Sequence, residues 1–429
     1  MNLLSLSILV LYSVGTVTSK FCYWNAGCPY KYYSNLTPYN FIRGDIRDSL
    51  IKLTGCEPIS IWGLFRHAKR TPKQQFGKVM REAIAIRDDI VSSYNRGNSS
   101  LCAQDVENLR NWVDKDKILD IELQVTSEGY KEAFDMSSRL QQAFPKLLAN
   151  LDDNDYTIRH AYGNWLLESA KAFVESFNDK PLKIKPFEED FKLIAPYKNC
   201  SIYLKAVENG TAFEVNKYRN TSEYAALKDR IQRRLGINYA LNDTNIMALS
   251  DLCAYFSSAV DNKFSPWCAL FTTEDLKITE YMGELKQYYT SGYGLPMNEL
   301  FGQIPLADLL KSFRLAKSGN GKKLTNYYVH GTMVNMAYTA LKFLKDDTLL
   351  TGAQRNPNRK WKNSRISSFS SNLMAVLNKC QKEGDDDYNV VFYLNEEPLS
   401  SICKEGVCSW EEFEDKLKPF LETKIDFCD

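Results

Sequence analysis

The sequence predicts an α/β protein with a long, mainly helical segment inserted over one end of its sheet. Three observations carry this. Short runs rich in Ile, Trp, Leu, Phe, Tyr and Val alternate with stretches of helical periodicity, the pattern of a sheet covered by helices. Residues 180–300 are mainly helical in pattern, with loops marked by Pro and Gly. At 429 residues, 44% of them hydrophobic, the chain is longer than a single core usually grows. The expected division is a leader over 1–19, an α/β domain from 20–179 and 301–429, and a helical cap over 180–300.

In order along the chain, residues 1–19 (MNLLSLSILVLYSVGTVTS) read as a secretory signal. The apolar run Leu3 to Val14 is too short to span a bilayer, and small residues stand at the cleavage site. No later segment has 18 uncharged apolar residues, so a soluble, secreted mature protein with no membrane partner is expected. Eleven cysteines without CxxC pairs favour disulfides over zinc, and the odd count leaves a thiol free or bonded to another chain. Six N-x-S/T sequons, at Asn35, Asn98, Asn199, Asn209, Asn220 and Asn242, suit N-linked glycans on a secreted protein. With 54 basic and 53 acidic residues the net charge is +1, so nucleic acid is not an expected partner and any anion recognition is local.

Pro58 to Phe65 reads as a buried strand, Gln74 to Tyr94 and Ser127 to Leu148 as helices, and Asp155 to Tyr162 as a second strand. A helix through Trp165, Leu166, Ala170 and Phe173 follows. Leu306 to Ala316 reads as a helix, Leu324 to Val329 as a third strand, Met333 to Leu344 as a helix and Asn389 to Leu394 as a last strand. In open α/β sheets, ligands sit beyond the carboxyl ends of the strands. Arg66, His67, Lys69 and Arg70 lie just past the first such end, and His330 past the third. The three histidines, His67, His160 and His330, all fall at or beside predicted strand ends. Basic side chains clustered at the tip of a buried strand are costly unless an anion meets them.

The stretch RHAKRTP, from Arg66, resembles the R-H-G-x-R-x-P motif of the histidine acid phosphatases. The chain as a whole resembles the multiple inositol polyphosphate phosphatases, through GCEPISIWGLFRHAKRTP from Gly55, TSEGYKEAFDMSSRLQQAFPKLL from Thr126, ESAKAF from Glu168, FSPWCALFTTEDLKITEYMGELKQYYTSGYG from Phe264 and FYLNEEP from Phe392. The resemblance implies a three-layer histidine-phosphatase-like α/β domain and hydrolysis of phosphomonoesters through a phosphohistidine, with no metal or other cofactor. It makes His67 the nucleophile, Arg66 and Arg70 phosphate clamps, and His330 the distal phosphate ligand. Lys69 adds charge alongside, and Arg159 is a candidate for partial compensation of a lost clamp.

Three positions depart from the family pattern. Ala68 stands for the motif Gly. Trp165 aligns with the third clamp Arg. His330-Gly331-Thr332 replaces His-Ala-Glu, so the usual general acid is absent. Losing a general acid typically costs about 100- to 10,000-fold, and losing a clamp on developing charge roughly 100- to 1,000-fold. Two functions therefore follow: a secreted phosphatase of weakened or shifted activity acting on a small phosphorylated anion, or an inactive secreted relative that binds such a ligand. In a purely structural reading Trp165 is core and the Thr332 hydroxyl caps the following helix.

Overall fold

The computed structural model describes residues 32–177, 182–186, 192–259, 264–381 and 386–428. The leader expected at 1–19, with Cys22 and Cys28, lies outside them.

One mixed sheet organises the described chain. Its strands are β1 (Cys56–Arg66), β2 (Tyr156–His160), β3 (Leu324–Val329), β4 (Asn372–Gln381), β5 (Asp386–Leu394), β6 (Glu397–Pro398) and β7 (Val407–Ser409). The order is β2-β3-β1-β4-β5-β6, with β7 pairing to β5. β2, β3 and β1 run parallel, and β4 and β5 antiparallel. β1 is central, and its Ile61 to Arg66 are buried, as a strand covered on both faces requires. The carboxyl ends of β1, β2 and β3 share one edge. The antiparallel β4 starts at that edge, so the loop before it also reaches there.

Helices cover both the sheet and this edge. Thr126 caps Ser127–Ala143 by accepting from the Gly129 amide. Thr272 and Asp275 form a capping box on Thr273–Ser291. Asp243–Tyr255 packs against Gln74–Ile84, so the helical segment after residue 180 meets helices that precede it in sequence.

Several elements differ from the sequence reading for local reasons. The helix expected through Leu148 stops at Ala143, because Phe144 precedes Pro145 and leaves the α region (φ −123°, ψ 52°). The helix expected to start at Leu306 starts at Met297 and runs through Pro305 to Lys317, so the 300/301 division falls inside it. β4 was not expected. Its run Leu373-Met374-Ala375-Val376-Leu377 is apolar and rich in helix formers, and only pairing with β1 and β5 decides it.

Nine cysteines are described. The bridges are Cys56–Cys380, Cys200–Cys428, Cys253–Cys268 and Cys403–Cys408, and Cys102 is also disulfide-bonded. No helix among the described residues is long and apolar enough to cross a membrane.

Candidate active site

Arg66 ends β1, and its amide donates to Ser371 O at 2.8 Å. The next amide, of His67, donates to Val329 O at 3.3 Å, which ties the β1 end to the β3 end. The His67 ring is therefore fixed beside His330, the residue that follows Val329. Their ring centroids lie 6.4 Å apart. Trp165, at the start of the Asn164–Glu175 helix, closes the third side, 6.4 Å from His67 and 5.8 Å from His330. Phe369, in the loop before β4, lies 5.9 Å from His67 and stacks under the Arg66 guanidinium at 4.7 Å. The Arg70 guanidinium lies 5.6 Å from the Trp165 ring.

His67 Nδ1 lies 2.9 Å from Ala68 O. A carbonyl can only accept, so Nδ1 carries the proton and Nε2 keeps a bare lone pair. Burial, then the charges of Arg66 and Arg70, push the His67 pKa well below the ordinary histidine value. His330 hydrogen-bonds to the Tyr162 backbone, and burial with Lys198, Arg70 and Arg66 holds it down at about 3. Both imidazoles are neutral at neutral pH. Arg66 donates to Asn35 O at 2.6 Å and Ser367 O at 2.7 Å, but no described carboxylate pairs with it. Burial and the neighbouring Arg70 push its pKa down to about 9. Arg70 hydrogen-bonds to Tyr255 and is lowered too, chiefly by burial. Together these groups form a positively charged cup.

The motif loop is held from behind. The Ala68 amide donates to Ser169 Oγ at 2.9 Å, and Ser169 in turn donates to Trp165 O. Gly129 lets the Ser127–Ala143 helix press on this loop, since a Cβ there would come within 2.2 Å of Lys69 O.

Not every expected residue joins the cup. Lys69 is buried, and its ammonium is committed to Glu128 at 2.6 Å and Ser257 O at 2.7 Å, so it braces the loop. Arg159 and His160 lie on β2 opposite Tyr327 and Tyr328. Thr332 does not cap its helix. His330 is the N-cap residue, without a side-chain cap bond, and the Thr332 hydroxyl meets that of Tyr197. Trp165 does line the site rather than filling core, and its buried indole N–H has no acceptor. Gly331 gives Arg66 room: a Cβ there would stand 3.1 Å from Arg66 Cδ.

Sequence reasoning missed Tyr255, Phe369 and Lys198, which come from three separate segments with no motif of their own, and Ser169, which lies in the quoted ESAKAF stretch but was given no role. It also missed the cavity that Arg66 and Arg70 open into. That cavity measures about 450 Å³, and Lys73, Arg219 and Lys286 line it as well.

The profile of the Histidine phosphatase superfamily (branch 2) matches residues 60–395. The chain belongs to this family. Within the superfamily it is similar to Multiple inositol polyphosphate phosphatase 1 of Drosophila melanogaster, 28% identical over 98% of this chain and 92% of the relative. The Homo sapiens protein of the same name is 22% identical over 86% and 80%. Among solved structures, the phytase from D. castellii superposes with a TM-score of 0.74 at 19% identity, covering 93% of this chain and 87% of that one. The Bifidobacterium longum Multiple Inositol Polyphosphate Phosphatase in complex with inositol hexasulfate gives 0.69 at 12%, covering 93% and 99%. These likenesses place the sheet and its helices within the histidine phosphatase fold.

Proposed function

We propose that this chain is a secreted phosphoric monoester hydrolase of the inositol polyphosphate type, working through a phosphohistidine at His67. The observation that carries the reading is the convergence on one site of two neutral imidazoles and two guanidiniums that form no ion pair with a described carboxylate. Guanidinium forks suit the three equatorial oxygens of a phosphoryl group in transfer. Arg66 and Arg70 take the phosphoryl charge. The Trp165 indole N–H offers a further donor to it, and His330, whose one N–H is committed to the Tyr162 backbone, becomes a donor when the anion draws a proton onto its other ring nitrogen. His67 Nε2 attacks phosphorus, and the Nδ1–H bond to Ala68 O holds the ring as positive charge develops. The basic lining beyond Arg70 gives the remaining phosphates of a polyphosphorylated ring their partners. The names of the relatives support the same substrate class.

Secretion is supported by the leader pattern and the disulfides. Asn98, Asn199, Asn209, Asn220 and Asn242 are exposed and open to glycosylation. Asn35 lines the cavity and its carbonyl accepts from Arg66, so it stays unmodified. Mass mapping of the glycans on protein secreted from a eukaryotic host tests this; a glycan on Asn35 counts against the cavity as a substrate site.

A second reading, a binding protein for phosphorylated anions, is favoured by Trp165 and Thr332. Phosphate release from inositol hexakisphosphate and from an aryl phosphate, against His67→Ala, separates the two. Release above that control supports the enzyme. Release equal to the control on both substrates, with salt-dependent binding heat, leaves the binding protein.

A further inference from the structure

The phosphatase reading lacks one group: a proton donor for the departing oxygen. Thr332 faces Tyr197, and no described carboxyl stands beside His330. The wall of the cavity opposite the sheet does supply one. Asp251 lies on the Asp243–Tyr255 helix, one turn before Tyr255, and opens on the same cavity as Arg66 and Arg70. Tyr255 hydrogen-bonds to Arg70, so Asp251 is a single helical turn from a residue that touches the phosphate clamp. The Asp251 carboxyl makes no hydrogen bond or ion pair with any described residue. Every other acidic group around it is engaged: Glu280, which lines the same cavity, bonds Ser364 and Arg359.

From this placement, and resting on the phosphatase reading, we infer that Asp251 is the proton donor that replaces the missing general acid of the His330 segment. As His67 Nε2 bonds to phosphorus, the bond from phosphorus to the ester oxygen breaks. The oxygen keeps the electron pair and takes the Asp251 proton, leaving as the alcohol. The Asp251 carboxylate then removes a proton from water as its oxygen attacks the phosphohistidine. The bond from phosphorus to Nε2 breaks, the pair returns to the ring, orthophosphate departs and Asp251 is again protonated.

The electrostatics fit this role. Burial raises the Asp251 pKa to about 7, opposed by the Lys286 ammonium, so the acid is half protonated near neutrality. Lys286 is the charge that acts on it most, and the other charged groups lining the same cavity are Glu280 on the Thr273–Ser291 helix, Lys73 ahead of the Gln74–Ile84 helix, Arg219, Arg66 and Arg70. A bound polyanion offsets these cations and favours the protonated acid further.

The test compares the wild type with Asp251→Asn on inositol hexakisphosphate, a poor leaving group, and on an aryl phosphate, a good one. Asp251→Asn is expected to lose about 100-fold or more on the first and under about 10-fold on the second. A fall in kcat/KM above about pH 7 is expected with the alkyl ester in the wild type and is expected to disappear in the variant. Asp251→Glu keeps a carboxyl and retains more activity than Asp251→Asn, and Thr332→Glu restores activity to the Asn variant. Equal losses on both substrates, no loss on either, or an unchanged alkaline limb overturns the assignment to Asp251 while leaving His67 chemistry standing. Wild-type release on the aryl phosphate no greater than that of His67→Ala overturns both.

Discussion

Two buried arginines share one edge of the sheet under opposite conditions. Arg139 meets Glu396, in the turn after β5, through two parallel N–H···O bonds, one of them 2.7 Å from Nε to Oε2. The Tyr39 hydroxyl also donates to Glu396, at 2.9 Å. Burial pulls the Arg139 pKa down, but the hydrogen bond and charge of Glu396 outweigh it and lift the guanidinium above its usual value. Arg66 is equally buried and meets carbonyls, the Phe369 ring and another arginine but pairs with no described carboxylate, and it is driven down to about 9. The same side chain therefore serves twice. At Arg139 the chain supplies the anion, and the pair locks helix to sheet. At Arg66 it withholds one, and the cost is kept until an outside anion arrives.

The largest effect that tests this comparison is on the satisfied side. Glu396→Ala leaves Arg139 an uncompensated buried charge, and urea unfolding is expected to show a loss of about 3–5 kcal/mol. A loss below about 1 kcal/mol would mean that Arg139 is no better satisfied than Arg66.

Next comes acid. The folded pKa values of His67 and His330 lie below the unfolded value near 6.5. Below that pH the unfolded chain binds protons that the folded chain refuses. Stability is thus unaffected by these groups above about pH 6.5 and falls as pH drops below it, the His330 contribution continuing down to about pH 3. Orthophosphate should blunt this fall, because an anion in the cup favours protonated imidazole. A fall that is the same with and without phosphate breaks the link between the histidines and the anion.

On the unsatisfied side, Arg70→Met relieves like-charge repulsion. Its stability should match the wild type within about 1 kcal/mol, because the loss of the bonds to Thr71 O and Tyr255 is offset by relief of the charge repulsion with Arg66. The thermal shift given by orthophosphate should nonetheless vanish. A destabilised variant that still binds phosphate contradicts the account. The smallest effect is at Gly331→Ala, where the new methyl displaces Arg66 against a helix gain of up to about 1 kcal/mol. Phosphate affinity should weaken by a few-fold with stability nearly unchanged, as read by calorimetry and urea unfolding.

The sequence carried the parallel half of the sheet and the cup's main members. β1 and β3 are apolar runs with basic or imidazole residues at their tips, a local pattern that survives folding. The antiparallel half was less legible, because β4 is a strand only by virtue of its neighbours. Lys69 shows why charge alone misleads. It sits between Ala68 and Arg70 in the motif, yet Glu128, distant in sequence, captures it. Asp251 had no motif to announce it. Its role depends on which face of a helix lies over the cavity, and that is set by packing against the Gln74–Ile84 helix rather than by neighbours in the chain.

The central claim is that the cup hands a phosphoryl group to His67. Mixing the protein with an aryl ester of radiolabelled phosphate, quenching in alkaline denaturant and mapping the labelled peptide tests it directly. The account predicts alkali-stable, acid-labile label on the peptide containing His67, absent from His67→Ala. Turnover of that ester with no label at His67, or with label on another residue, would contradict it.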